Sequence, residues 1–315
     1  MSNLFLTATP ECLSLTFAKA TRAHEEHPQR NEDDVLTDPE SRLAVICDGV
    51  GHVTGARQAA RAATRTVRAR WRETLAARRA EGQEQSACQI PAEELDATLH
   101  YLLTEANTAV LAVDARMARR ARADENAKKK GYAGTTIALV LLLPQGDGYL
   151  MGYAHVGDSR VYLLRSQEPL QRLTADDGYF EWKMGKGELN AEQAWRIEQT
   201  SSAEQLTEQD REHFNNRNRI SQALGDKQDI TLHTGQTSIR PGDRVLLTTD
   251  GIHDNLTDAE LEETARPGTR TTVAKKLLMR TIERSQQGEE VCLRAKKDDM
   301  SVIVITCHTL SGDRQ

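Results

Sequence analysis

The chain has 315 residues, and its 41 Lys and Arg against 47 Asp and Glu give a formal charge of −6. That length allows one large domain or two at ~100–200 residues each, with a sizeable core either way. The acidic balance argues against a general nucleic-acid binder, which needs a basic surface to neutralise phosphates. An aromatic content of 4% argues against a stacking platform for single strands. No apolar run approaches the ~18–20 residues that cross a bilayer. The first 17 residues lack the basic start of a secretory signal, and Pro10 interrupts them. Cys12, Cys47, Cys88, Cys292 and Cys307 form no CxxC pair and are odd in number. Free thiols in a reducing cytosol are the simplest reading, so the expectation is a cytoplasmic protein with neither a membrane nor a nucleic-acid partner.

Strand-like and helix-like blocks alternate along the chain. Leu13, Leu15 and Phe17 are spaced by two, as in a half-buried strand. The run 42–47 (RLAVIC) is short and apolar, as in a buried strand. Two long amphipathic helices follow. Ala56, Ala60, Ala63, Val67, Trp71 and Leu75 mark the first; Leu95, Leu99, Leu102, Ala106, Val110, Val113 and Met117 mark the second. A loop over 81–91 joins them, and 127–131 (AKKKG) closes the pair. Strand patterns return in 135–144, 149–156 and 160–165, and again in 244–249 and 301–306. Residues 174–218 are polar and irregular, a mixed helical and loop insertion. A third helix over 272–288 ends at Gly288. Two strand-rich blocks separated by a helical pair predict sheets covered by helices rather than βαβ repeats. The basic runs (Arg116, Arg119, Arg120, Arg122 and Lys128 to Lys130) read as a solvated helix face.

The carboxylates are more informative. Asp48 follows one apolar run and Asp250 another; Asp158 follows a third after one Gly; Asp298 and Asp299 precede the last, and Glu32-Asp33-Asp34 lies before a strand starting near Val35. Asp is a poor strand residue, and a charge beside a buried run is costly unless it is paired or metal-bound. Three of these positions adjoin a Gly (Gly49, Gly157, Gly251), which lets backbone approach a ligand. Converging carboxylates need cations, and all-oxygen ligands suit hard ions such as Mg²⁺ or Mn²⁺. A centre with two or more such ions suits attack of hydroxide on a phosphoryl group. Isolated turn Asp residues on unrelated edges are the competing reading.

With these motifs in view, the chain resembles the metal-dependent Ser/Thr protein phosphatases of type 2C, bacterial style. The resemblance runs from Phe17 to Thr306 through RNEDD (30–34), VICDGVGHVTGARQA (45–59), GTTIALVLL (134–142), AHVGDSRVYLLR (154–165), LLTTDGIHDNLTDAEL (246–261) and KDDMSVIVI (297–305), in the family's order. It implies an α+β fold, two packed antiparallel β-sheets flanked by pairs of helices. It also implies a single domain over 1–315, with its core at about 13–308 and a flap over 175–218. By resemblance, Asp48 bridges two Mn²⁺ or Mg²⁺ ions with the Gly49 carbonyl as a further ligand. Asp250 and Asp298 complete one ion, and Asp33 with Glu32 serves the other. A third, weaker ion uses Asp158 with Asp250 or a neighbour. Thr135, Thr136, Ser159 and Arg160 are structural hydrogen-bonders. The implied reaction is one-step hydrolysis of phosphoserine or phosphothreonine on a protein substrate, opposing a Ser/Thr kinase. His52, four residues after Asp48, is the candidate general acid, against a loop histidine bound to backbone.

Four departures qualify the resemblance. Gly51 alone precedes His52, where many members have two glycines. Pro28 stands at the usual position of the phosphate-binding Arg, leaving Arg30 or Arg22 for that role; Arg30 is the choice made here. Asp299 stands where Asn is common, and Asp177 where His is common. The displaced Arg and shortened His loop motivate one rival, a catalytically weak phosphatase-like regulator that binds a phosphoprotein or kinase.

Overall fold

The computed structural model describes residues 13–50, 55–80, 90–123, 133–288 and 290–309. Its strands form two five-stranded sheets and a small pair. In the first sheet β1 (Leu13–Arg22), β12 (Met300–Thr309), β11 (Arg244–Thr248), β8 (Arg160–Leu164) and β9 (Gln171–Arg172) lie in that order. In the second the order is β10 (His233–Ile239), β7 (Gly148–Val156), β6 (Ile137–Gln145), β3 (Leu43–Cys47) and β2 (Asp34–Asp38). The short pair is β4 (Gly49–Val50) with β5 (Gly134–Thr135). All the pairings are antiparallel.

Side-chain alternation explains the layering. Along β3, Leu43, Val45 and Cys47 join the core under the helix pair α1 (Ala56–Ala80) and α2 (Leu95–Ala123), while Ala44 and Ile46 join the core between the sheets. On β12, Ile303, Ile305 and Cys307 face the inter-sheet core. Met300, Val302 and Val304 instead meet the helices α6 (Asp250–His253), α7 (Asp258–Ala265) and α8 (Val273–Ser285). A strand buried on both faces has no polar positions, which is why these runs read as continuously apolar. The α+β expectation of two packed antiparallel sheets between helix pairs is therefore met.

The two long helices form where their spacing predicts. Ala56, Ala60, Ala63, Val67, Trp71 and Leu75 are all buried, and the Trp71 indole donates to the Ser41 carbonyl at 2.8 Å. Arg116 and Arg119 are exposed on α2, as a solvated face requires. The third helix spans Val273–Ser285 and is followed by Gly288 at φ 76°. Within 175–218 lie α3 (Tyr179–Gly185), α4 (Ala191–Glu198) and α5 (Glu208–Asn215), around a small core of Leu189, Ile197, Leu206 and Phe214. Cys47, Cys292 and Cys307 are free thiols. Among the described residues no helix is long and apolar enough to cross a membrane.

Candidate active site

Strand register carries the acidic residues to one end of the sandwich. Asp34 pairs with Cys47 across β2 and β3, so one step further Asp33 stands across from Asp48. Thr248 pairs with Arg160 across β11 and β8, so two steps further Asp250 stands across from Asp158. Thr248 also pairs with Val302, which brings the residues before β12 alongside Asp250. Positions far apart in sequence thus converge because β3, β7 and β11 end, and β2, β8 and β12 begin, at the same end of the sandwich.

Side-chain bonds fix each turn. The Asp48 N–H donates to Thr136 Oγ1 at 3.1 Å, and the Asp48 carbonyl accepts from Thr135 Oγ1 at 2.8 Å. Thr136 Oγ1 lies 2.7 Å from Ser159 Oγ. Thr249 Oγ1 donates to Asp33 Oδ2 at 2.9 Å and accepts from the Ser301 N–H at 3.1 Å. Gly157 turns at φ 91°, a left-handed conformation. A Cβ there would meet Thr136 Cγ2 at 2.7 Å. At Gly49 a Cβ would lie 2.6 Å from the Ala56 carbonyl and 2.8 Å from the Glu32 carbonyl, so only glycine lets Asp48 sit so close to both segments.

The electrostatics are those of crowded carboxylates. Burial, then the charges of Asp250, Asp33, Asp298 and Asp158, push Asp48 well above the usual carboxylate range. Asp33 and Asp158 are raised for the same reasons, burial first and then neighbouring aspartates. Asp250 is raised by burial, with Lys296 partly offsetting it. Asp33 Oδ1 and Asp250 Oδ1 are buried with no hydrogen-bond partner. A buried, unpartnered carboxylate oxygen is costly. Two of them beside a crowded anionic cluster fit hard cations bound through oxygen. Among the described residues no group of three or more acidic, His or Cys side chains is gathered closely enough to hold one ion between them. The Lys296 ammonium donates to Asp250 Oδ2 at 2.5 Å and Asp254 Oδ2 at 2.7 Å, and lies 2.9 Å from Asp298 Oδ2.

The remaining predicted residues are placed as follows. Glu32 lies beside Arg30, with Arg30 Nε 3.7 Å from Glu32 Oε1. Arg30 is otherwise half exposed; Arg22 is also half exposed and pairs with Glu25 at 3.8 Å. His52 and Gly51 lie outside the described residues, as do Cys12, Cys88, most of the loop at 81–91 and the segment 127–131. Asp299 accepts the His24 N–H and the Glu32 N–H, one on each carboxylate oxygen, both at 2.6 Å. It thereby holds the loop that carries Arg30. Asp177 accepts the Gly157 N–H at 2.8 Å and lies 2.8 Å from His233 Nε2, bracing the turn before Asp158. Arg160 is buried; it donates to Asp176 at 3.0 Å and to Glu198, and Arg172 grips Glu198 at 2.9 and 3.0 Å. These ion pairs fasten the 175–218 segment to β8. A cavity of about 280 Å³ lies against this segment, lined by Tyr179, Trp195, Arg172 and Arg217, rather than over the carboxylates.

Sequence reasoning missed Lys296 and Asp254. Both had a signal. Asp254 is four residues after Asp250, hence on the same helical face. Lys296 is two before Asp298, hence on the same face of an extended segment.

The fold is shared with known bacterial Ser/Thr phosphatases. The crystal structure of PstP/Ppp from Mycobacterium tuberculosis superposes with a TM-score of 0.65 over 93% of this chain and 98% of that one, at 22% identity. A PstP catalytic domain solved in complex with two manganese ions gives 0.63 at 21% identity, over 94% and 99% of the two chains. The protein phosphatase 2C family model matches residues 21–283, and the chain belongs to that family. The serine/threonine phosphatase stp of Listeria innocua is 23% identical over 248 residues, 79% of this chain and 81% of stp. Protein phosphatase PhpP of Streptococcus pneumoniae is 28% identical over 130 residues, 41% of this chain; the match spans less than half of PhpP's length, 44%.

Proposed function

We propose that the protein is a Mn²⁺- or Mg²⁺-dependent phosphatase that hydrolyses phosphoserine and phosphothreonine esters on proteins, opposing a Ser/Thr kinase in the cytoplasm. The observation that carries this reading is the gathering of Asp33, Asp48, Asp158, Asp250 and Asp298 at one end of the two sheets, with Asp33 Oδ1 and Asp250 Oδ1 buried and unpartnered. Membership of the phosphatase 2C family supports it.

In this reading Asp48 and the Gly49 carbonyl, with Asp33 and Glu32, would hold one ion, and Asp48, Asp250 and Asp298 would hold the other. Bound there, such ions supply hydroxide at neutral pH and neutralise phosphoryl charge. The protein supplies the rest. Thr135 and Thr136 fix the backbone of Asp48, and Thr249 fixes Asp33. Such supporting bonds hold ligating oxygens at the separation the reaction needs. Arg30, half exposed on a loop clamped by Asp299, takes the phosphate of a protein-borne ester in this reading; its pair with Glu32 and its exposure support the choice. His52 protonates the leaving serine or threonine oxygen. The 175–218 segment, tied down through Arg160 next to Asp158, forms the flap against which the substrate polypeptide lies.

The test is hydrolysis of p-nitrophenyl phosphate and of phosphoserine, phosphothreonine and phosphotyrosine peptides by the purified chain. With Mn²⁺ the first three are turned over and the phosphotyrosine peptide is not, and EDTA stops the reaction. A folded, metal-loaded sample that leaves all of them intact overturns the proposal.

A further inference from the structure

The acidic centre contains its own cation. Lys296 precedes β12 on an extended segment, and its ammonium reaches three carboxylates: Asp250 Oδ2 at 2.5 Å, Asp254 Oδ2 at 2.7 Å and Asp298 Oδ2 at 2.9 Å. Two of its N–H donors bond Asp250 and Asp254, and the charge also pairs with Asp298. This is an oxygen-lined cation position, filled by nitrogen.

The position is built rather than incidental. Asn255 is fully buried and holds the Lys296 backbone from both sides: its amide donates to the Lys296 carbonyl at 2.9 Å, and its carbonyl oxygen accepts the Lys296 N–H at 3.0 Å. The same amide donates to the Gly251 carbonyl at 2.8 Å, tying Lys296 to the turn that carries Asp250 and Asp254. The other oxygen of Asp254 faces Arg217 Nε at 3.6 Å, so both sides of that carboxylate are taken.

The oxygens that Lys296 leaves alone are equally telling. Asp250 Oδ1 and Asp33 Oδ1 remain buried and unpartnered. Two ions held through Asp33, Asp48 and the free oxygen of Asp250 can therefore coexist with the lysine; Asp298, whose Oδ2 faces Lys296 and whose Oδ1 accepts the Asp299 N–H at 2.8 Å, is the carboxylate that Lys296 shares with them. A third ion placed between Asp158 and the Asp250–Asp254 pair would have to share Asp250 Oδ2 and Asp254 Oδ2 with the Lys296 ammonium, and repulsion between the two cations opposes it.

We propose that Lys296 is a resident cation that takes the place of a third metal ion at the Asp250–Asp254 side of the centre, so that this chain binds two divalent ions. The proposal rests on the metal-dependent reading above and corrects its most ion-rich version, in which Asp158 serves a third ion.

The test counts ions without measuring turnover. The full chain is titrated with Mn²⁺, with free Mn²⁺ read by electron paramagnetic resonance and heat by calorimetry. The wild type is expected to saturate at two ions, Lys296→Met at three, and Lys296→Arg, which keeps a cation in place, at two. Three ions in the wild type overturn the proposal whether or not the variants fold. So does a folded Lys296→Met that stops at two with unchanged affinity; both results leave the metal centre itself standing. No Mn²⁺ uptake by the folded wild type overturns the metal-dependent reading and this proposal together.

Discussion

Substituting Gly251 by alanine perturbs the centre without touching a carboxylate. Gly251 follows Asp250 in the first turn of α6, and a Cβ built there lies 2.0 Å from the Asp299 carbonyl oxygen and 2.9 Å from its carbon. Ordinary contact begins near 3.4 Å, so the two backbones must part by about 1.4 Å. Neither atom belongs to a flexible side chain, and the Thr249 N–H bond to the Ser301 carbonyl at 3.1 Å resists the separation. Overpacking of this kind costs about 1–3 kcal/mol. At roughly 2–4 °C per kcal/mol for a domain of this size, Tm should fall by about 2–12 °C. The effect on ion binding should be sharper. Asp250 and Asp298 would move apart by more than the ~0.5 Å that a binding constellation tolerates, and supporting-shell lesions weaken metal affinity by about 10–100-fold. Calorimetric titration with Mn²⁺ reads the affinity and a thermal melt reads the fold. A Gly251→Ala protein that melts and binds Mn²⁺ like the wild type would refute the claim that Asp250 and Asp298 share an ion.

Three further outcomes are expected. Mn²⁺ should stabilise the metal-free protein by about 2.7 kcal/mol at 100 times its Kd, and EDTA should reverse this; a melt indifferent to Mn²⁺ contradicts the centre. In Asp299→Asn one of two backbone N–H groups, that of His24 or Glu32, faces an amide NH₂ instead of a carboxylate oxygen. The loss of a charge-assisted bond costs about 1.5–3 kcal/mol, and hydrogen exchange at these amides should accelerate; unchanged exchange denies the clamp. His155 is buried against His233 at 4.7 Å, and burial, then the His233 charge, lowers its pKa to about 4. The unfolded chain binds that proton near pH 6.5, so the contribution is whole above 6.5 and is lost as pH falls toward 4, on the order of 3 kcal/mol in all. Urea melts of His155→Gln should lack that part of the acid sensitivity; parallel wild-type and variant curves would exclude it.

Much of this was legible in sequence because both sheets are buried on two faces. Runs such as 43–47 carry no charged residue, so an Asp at their ends stands out, and antiparallel register then brings Asp33 to Asp48 and Asp158 to Asp250. What escaped were interactions without periodicity. Lys296 sits in a Lys-Lys-Asp-Asp run in which only the aspartates stand out, yet one lysine points into the centre and the next is exposed. The helix α6 has only four residues, too few for a pattern. By contrast α7 carries a capping box, Thr257 with Glu260, that a closer reading of the sequence would have found. The Arg160 pairs with Asp176 and Glu198 depend on a fold-back of the 175–218 segment that spacing does not encode.

The central claim is that the carboxylates around Asp48 hydrolyse phosphoserine and phosphothreonine esters through bound cations. Phosphate release from a phosphothreonine peptide, compared between the wild type and Asp48→Asn at saturating Mn²⁺, tests it most directly. The account predicts release by the wild type that stops with EDTA and returns with excess Mn²⁺, and none from a variant that still folds. Release that survives EDTA, or that Asp48→Asn leaves unchanged, would contradict it.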